Sequence, residues 1–248
     1  MRRLARFVRS CAASLALLLS FTAPAHAQAP FSGRVLAPGE AQLRLDLQSH
    51  VAPTDRGGWV WGLPAVAAGL GRGLELGVGL SATNPRSSTD FTVALKWAPL
   101  AHTTSPVQVA VGAMTLLPMQ RDLTGAAIRP MTLPYVALTS ALVPSLGDAS
   151  PVLTLAAYGV DTPRPGPFSD RAGGMIGVDQ GLPYGVAHAL GMDAAQLSVN
   201  WVTGKTLFGY ASGGVTFLKG NVNVSVGYAR GNLAQFNHGP TLGIGLAF

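Results

Sequence analysis

Charge is scarce in this chain. Asp, Glu, Lys and Arg make up only 11% of its 248 residues, against about 25% in ordinary soluble domains. A water-facing surface of normal charge density is therefore excluded. Cysteine is scarcer still: the only one is Cys11, which excludes a disulfide framework. Long apolar runs are missing too. Beyond residue 27, no segment offers roughly 18 apolar residues free of Gly, Pro and polar breaks, so helical membrane spans are excluded. What the chain has instead is 48% hydrophobic residues, 31 Gly and 18 Pro.

The first residues read as an export signal. "MRRLARFVRS" is basic, "CAASLALLLSFTA" is apolar, and Ala25 and Ala27 are the small residues that precede cleavage. The expected organisation is a cleavable signal over 1–27 and a single domain over 28–248. Losing Arg2, Arg3, Arg6 and Arg9 brings 17 basic residues down to 13, against 11 acidic. The high whole-chain pI is then mostly the signal's, and it is no argument for nucleic acid. An exported, apolar, charge-poor chain without a spanning helix has one main way to face lipid. It must satisfy its backbone between strands and close the sheet on itself.

The pattern along the chain agrees. In "AQLRLDLQSH", Leu43, Leu45 and Leu47 alternate with Gln42, Arg44, Asp46 and Gln48, a period of two that belongs to a strand. "LELGVGLSAT", "DFTVALKWA" and "QLSVNWVTG" repeat it. So do "VQVAVGAM", "PVLTLAAYGV" and, more weakly, "GGMIGVDQ". A terminal meander follows in "TLFGYASGGVTFL", "NVNVSVGYARG" and "PTLGIGLAF". With "WVWGLPAVAAGL" and "MTLPYVALTSALV" the expectation is an all-β, transmembrane, antiparallel up-and-down barrel of about 12 strands, 10 being the alternative. Pro64 and Pro134 fall inside expected strands, where each removes a ladder donor.

Connections and aromatics carry further expectations. Barrels of this kind have short turns at the end holding the termini and longer loops at the other. "GRG" at 71–73 and "KGN" at 219–221 fit, whereas "QGLPYGVAHALGMDA" is too long and "TGKT" too short for their places. Aromatic residues at the two membrane interfaces are expected to be Trp61, Phe91, Tyr158, Trp201 and Tyr228 at one end. Trp97, Phe217 and Phe248 belong at the other.

The closing "PTLGIGLAF" places Leu242, Ile244, Leu246 and Phe248 in one apolar stripe ending on an aromatic ring. This resembles the C-terminal signature of Gram-negative outer-membrane β-barrel proteins. The resemblance implies a bacterial outer-membrane location, lipid as the surrounding solvent, and recognition of the strand ending in Phe248 by the barrel-assembly machinery. General porins are larger and have an acidic constriction loop that this chain lacks.

Inward-facing polar residues are the candidate functional set: Arg44, Asp46, Glu75, Lys96, Gln108, Asp179, Asn200 and Asn223. They line either a narrow pore or a lumen plugged by opposite charges. No cofactor is implied. "TGKT" at 203–206 lacks the preceding glycine of a phosphate loop, since position 199 is Val, and "GVGLSA" at 77–82 lacks the helix of a dinucleotide site. His50, His102, His188 and His238 have no metal-ligand spacing. The expected function is a narrow passive channel for small solutes. The alternatives are a closed structural or adhesion barrel acting through its outer loops, and a lipid-modifying enzyme using His50 beside Ser49 or His238 beside Asn237.

Overall fold

A computed structural model describes residues 32, 34–50, 59–84, 89–101, 103, 105–119, 128–161, 169–206, 208–233 and 238–248. Twelve strands run in chain order: β1 (Ala41–His50), β2 (Trp59–Gly71), β3 (Leu74–Asn84), β4 (Thr89–Trp97), β5 (Val107–Pro118), β6 (Met131–Ala141), β7 (Val152–Gly159), β8 (Ala172–Gly181), β9 (Ala194–Val202), β10 (Tyr210–Lys219), β11 (Val222–Gly231) and β12 (Gly239–Ala247). Each pairs antiparallel with its chain neighbours. β1 pairs β12 from Gln42↔Ala247 to Gln48↔Thr241, which closes the ring and leaves no edge. Twelve of the expected segments are strands, including the weak "GGMIGVDQ". The 10-strand alternative is thereby set aside.

Alternation decides which side each residue occupies, and the distribution is inside out relative to a soluble protein. Large apolar side chains on the outer wall stand exposed: Leu43, Leu45, Val66, Leu95, Val136, Leu155, Ile176 and Ile244, with Val199 65% exposed. Buried inward positions include Gln48, Ser81, Thr92, Thr139, Thr154, Gln196, Ser198, Thr216 and Ser225. An apolar belt of this extent around a closed sheet is a lipid-facing surface. The barrel spans a membrane. Inside, facing hydroxyls satisfy one another across paired positions, Thr139 with Thr154 at 3.1 Å and Thr216 with Ser225 at 2.9 Å.

The two internal prolines are accommodated at gaps in the ladder. Pro64 is exposed on the outer wall, and β2–β3 pairing skips from Gly62↔Ala82 to Ala65↔Gly79 around it. Pro134 lies one residue before the β6–β7 ladder starts at Tyr135↔Tyr158. Neither ring breaks an inter-strand bond that the sheet forms.

Connection lengths depart from expectation. At the end that holds the termini, β2–β3 and β10–β11 turn in two residues each, Arg72 adopting the left-handed conformation (φ 52°) between Gly71 and Gly73. The other three connections at this end are long. Residues 98–106 link β4 to β5. A 3-10 turn (Pro144–Ala149) lies between β6 and β7. A short helix α1 (Tyr184–Ala189) lies between β8 and β9. The long "QGLPYGVAHALGMDA" segment thus holds a helix docked on β9, with Ala187 fully buried.

Candidate functional site

The interior has two unlike sectors. Toward the end away from the termini, β5–β9 contribute Leu116, Met131, Leu133, Tyr158, Met175 and Val202 to one packed apolar cluster, joined by Val160 just after β7 and by Phe208 from the β9–β10 connection. "TGKT" belongs to this connection, and its role is structural. The Tyr158 hydroxyl donates to the Thr203 carbonyl at 2.8 Å and shares a hydrogen bond with Thr206 Oγ1 at 2.8 Å. The Asn232 amide donates to the carbonyls of Val202 and Gly204. Asp170 Oδ2 accepts the Lys205 N–H. The segment is tied back onto the barrel from three sides.

Toward the termini the interior opens into a cavity of about 620 Å³. Its wall runs through β1–β6 and β10–β12 and omits β7–β9. Glu75 and Lys96 occupy directly paired positions of β3 and β4, with Nζ 3.0 Å from Oε1. Arg44 and Asp46, two apart on β1 and so on one face, meet at 2.6 Å. Before β1, Ser32 and Arg34–Leu36 also line the cavity, and the Leu36 N–H donates to Glu75 Oε2 at 2.8 Å. The leading segment is therefore part of the mouth, held by the carboxylate that pairs Lys96.

Among the residues expected to line the lumen, Arg44, Glu75, Lys96, Gln108 and Asn223 are brought together around the cavity. Asp46 faces inward against Arg44, outside the cavity wall. Asp179 and Asn200 are inward but buried in the packed β8–β9 sector, away from the others. Asn200 leans over Gly177 and Asn223 over Gly245, positions where a Cβ has no room. Arg34, Leu36 and Glu40 were missed because they precede the first alternating segment. Their signal is faint: "RVLAPGE" carries charges just ahead of a strand without a period of its own.

The expected interface aromatics divide. Phe91, Trp97, Trp201, Tyr228 and Phe248 are exposed on the outer wall near strand ends, Trp201 at 50%. Phe217 is half-buried on the same wall, and the side chain of Trp61 lies outside the described residues. Tyr158 is a correction. It faces inward at 4% exposure, paired with Tyr135 and set over Gly173. In "VLTLAAYG" both faces are apolar except at Thr154, and Tyr158 shares that residue's parity. A buried phenol needs a hydrogen-bond partner, and the Thr203–Thr206 connection supplies two.

Among the described residues, no group of three or more His, Cys, Asp or Glu is placed to hold a metal ion. The side chains of Ser49 and His50, and all of Asn237, lie outside the described residues. The Ser–His and Asn–His pairings weighed for a lipid-modifying enzyme therefore lie outside them as well.

No protein-family model matches this sequence, and no curated protein matches it. Solved structures do. Outer membrane phospholipase A from Escherichia coli, in an active-site variant, is similar at 15% identity over 89% of this chain and 93% of that one, with a TM-score of 0.50. The KdgM porin aligns at 11% identity over 84% and 98%, with a TM-score of 0.49. An outer membrane channel from Pseudomonas putida F1 aligns at 12% over 89% and 99%, with a TM-score of 0.45. At such identities the likeness is one of fold, and a fold does not name a chemistry. This chain has the closed, up-and-down barrel fold of outer-membrane β-barrel proteins.

Proposed function

We propose that this protein is a narrow, weakly selective passive channel for small polar solutes in the bacterial outer membrane. One observation carries the reading: a cavity of about 620 Å³ inside a closed, lipid-facing barrel, its wall carrying the Glu75–Lys96 ion pair and Arg44, which Asp46 pairs from just outside the wall. Selectivity in such a pore follows from the charges on its wall. Arg44 is offset by Asp46 and Lys96 by Glu75, so neither sign dominates. Solutes are then sorted by size and polarity before charge.

The packed cluster at the far end supports a second reading, a closed structural barrel. Tyr158, Val160, Met175 and Phe208 occupy part of the path a solute would take. Planar-bilayer recordings on the purified protein separate the two. The channel reading expects discrete, weakly ion-selective conductance steps. Silence at every voltage, from protein shown to be folded and inserted, would overturn it in favour of the closed barrel.

A further inference from the structure

The connections β6–β7 and β8–β9 are longer than the topology demands. At the same end of the barrel, two residues suffice to join β2 to β3 and β10 to β11. Here residues 142–151 and 182–193 are used instead, on neighbouring hairpins of the ring. Most of the exposed side chains described in them are apolar, Leu142, Val143 and Leu146 in the first and Tyr184, Val186 and Leu190 in the second, with Ser145, His188 and Asp193 the exposed polar ones among the described residues. Tyr184 is 70% and Leu190 56% exposed. From 182 to 192 there is no Asp, Glu, Lys or Arg. A helix facing water carries a polar face. On α1 only Ala187 is buried, and the turned-out residues include no Asp, Glu, Lys or Arg.

The geometry points to these two connections as a monolayer anchor: a patch that lies in the phospholipid leaflet at the termini end of the barrel, in the headgroup and upper acyl region. Three observations select lipid as the occupant. First, the patch is continuous with the lipid-facing wall. Leu142 N–H donates to the Pro151 carbonyl and Leu182 N–H to the Ala195 carbonyl, both at 2.8 Å. The connections therefore prolong the ladders that carry outward Leu138, Ile176, Val178 and Leu197. Second, Tyr184 stacks on His188, ring centroids 5.4 Å apart and 12° from parallel. This is an amphipathic pair of the kind that settles at the membrane–water boundary. Third, the neighbouring β10–β11 turn is dressed for water: Lys219 donates to Asp193 at 3.2 Å, both well exposed. The apolar patch stops where the ion pair begins. The anchor is independent of whether the lumen conducts.

The test places single nitroxide labels on the full chain, with Cys11→Ser, in phospholipid vesicles. Labelled positions are Val186→Cys, Leu190→Cys and Leu146→Cys. Val178→Cys on the outer wall is the lipid reference, and Lys219→Cys the water reference. The anchor predicts that all three sites, like Val178, collide with dissolved oxygen in preference to a water-soluble nickel chelate, and that Lys219 shows the reverse. Preference for the chelate at the three sites would overturn the proposal. Protection from both reagents would overturn it too, since a second copy or another protein would then be the occupant. Leu146 and Leu190 lie on separate connections, so the result does not depend on one tolerated substitution.

Discussion

Glu75 holds two partners at once. Oε1 lies 3.0 Å from Lys96 Nζ across the β3–β4 pair, and Oε2 accepts the Leu36 N–H at 2.8 Å. One carboxylate thus ties the wall of the cavity to the segment that narrows its mouth. Glu75→Gln keeps the side-chain shape but removes the charge that offsets Lys96. Ion selectivity should move toward anions, because a cation is left uncompensated on the wall. Lys96→Met should move it the other way. Reversal potentials in a salt gradient check both signs. Equal potentials for the two variants would remove this pair from the conduction path.

Tyr158 latches the β9–β10 connection through its hydroxyl. Tyr158→Phe removes that group and leaves the Thr203 carbonyl and Thr206 hydroxyl short of a partner. A loss of about 1 kcal/mol is expected, concentrated locally. Hydrogen exchange should quicken at Gly174, whose N–H donates to Thr203 Oγ1 at 2.7 Å, more than at strands remote from the connection. A uniform change across the barrel would contradict the latch.

Gly112 lies beneath the ring of Tyr135, and a Cβ there would meet the ring and the Leu95 carbonyl. Gly112→Val should destabilise the fold by about 1–3 kcal/mol. Gly220, at an exposed turn with nothing near its missing Cβ but with φ 55°, should lose about 1 kcal/mol on replacement by Ala. Unfolding from detergent into urea measures both. The ranking, Gly112 worse than Gly220, is the prediction.

Asp193 sits outside the spanning strands. The Gly220 N–H, at 2.7 Å, and the Lys219 ammonium hold its carboxyl below the ordinary carboxylate range. The sign follows from linkage. A folded-state value under the unfolded one contributes stability fully above the unfolded value, and that contribution disappears as pH falls through the folded value. The β10–β11 turn should therefore be insensitive between neutral pH and about pH 5, and loosen only under stronger acid. Exchange of the Gly220 amide against pH checks this, and Asp193→Asn should abolish the acid step.

The outer wall gives the sharpest energetic contrast. Val199, on the lipid face, and Ser198, buried inside, are adjacent on β9. Arg at a mid-membrane lipid-facing site costs about 2–4 kcal/mol, so Val199→Arg should lower folding stability by that order. Leu155→Arg on β7 should behave alike. Tolerance of both in a detergent-to-lipid folding assay would contradict a lipid-facing wall.

Much of the architecture was legible because a lipid-facing barrel writes its two faces into alternate residues. Leu43, Leu45 and Leu47 against Arg44 and Asp46 leave no other arrangement for β1. Where both faces are apolar the signal fails, and Tyr158 is the result. Its side was set by a hydrogen-bond partner 45 residues away, which no local pattern contains. The gathering of Glu75, Lys96, Gln108 and Asn223 around one cavity followed from parity alone. The separation of Asp179 and Asn200 from them did not, since it depends on the cavity lying against β1–β6 and β10–β12 and leaving out β8 and β9. Arg34 and Leu36 were invisible for a third reason: they join the mouth through a backbone hydrogen bond, not a strand period.

The central claim is that odd and even positions of each strand face different solvents. A cysteine scan of residues 42–47 in β1, on the Cys11→Ser chain in lipid vesicles, measures it directly with a water-soluble maleimide. The account predicts modification at 42, 44 and 46, which face the interior, and protection at 43, 45 and 47, which face lipid. Uniform reactivity along the strand, or labelling of the leucine positions in preference to the polar ones, would contradict it.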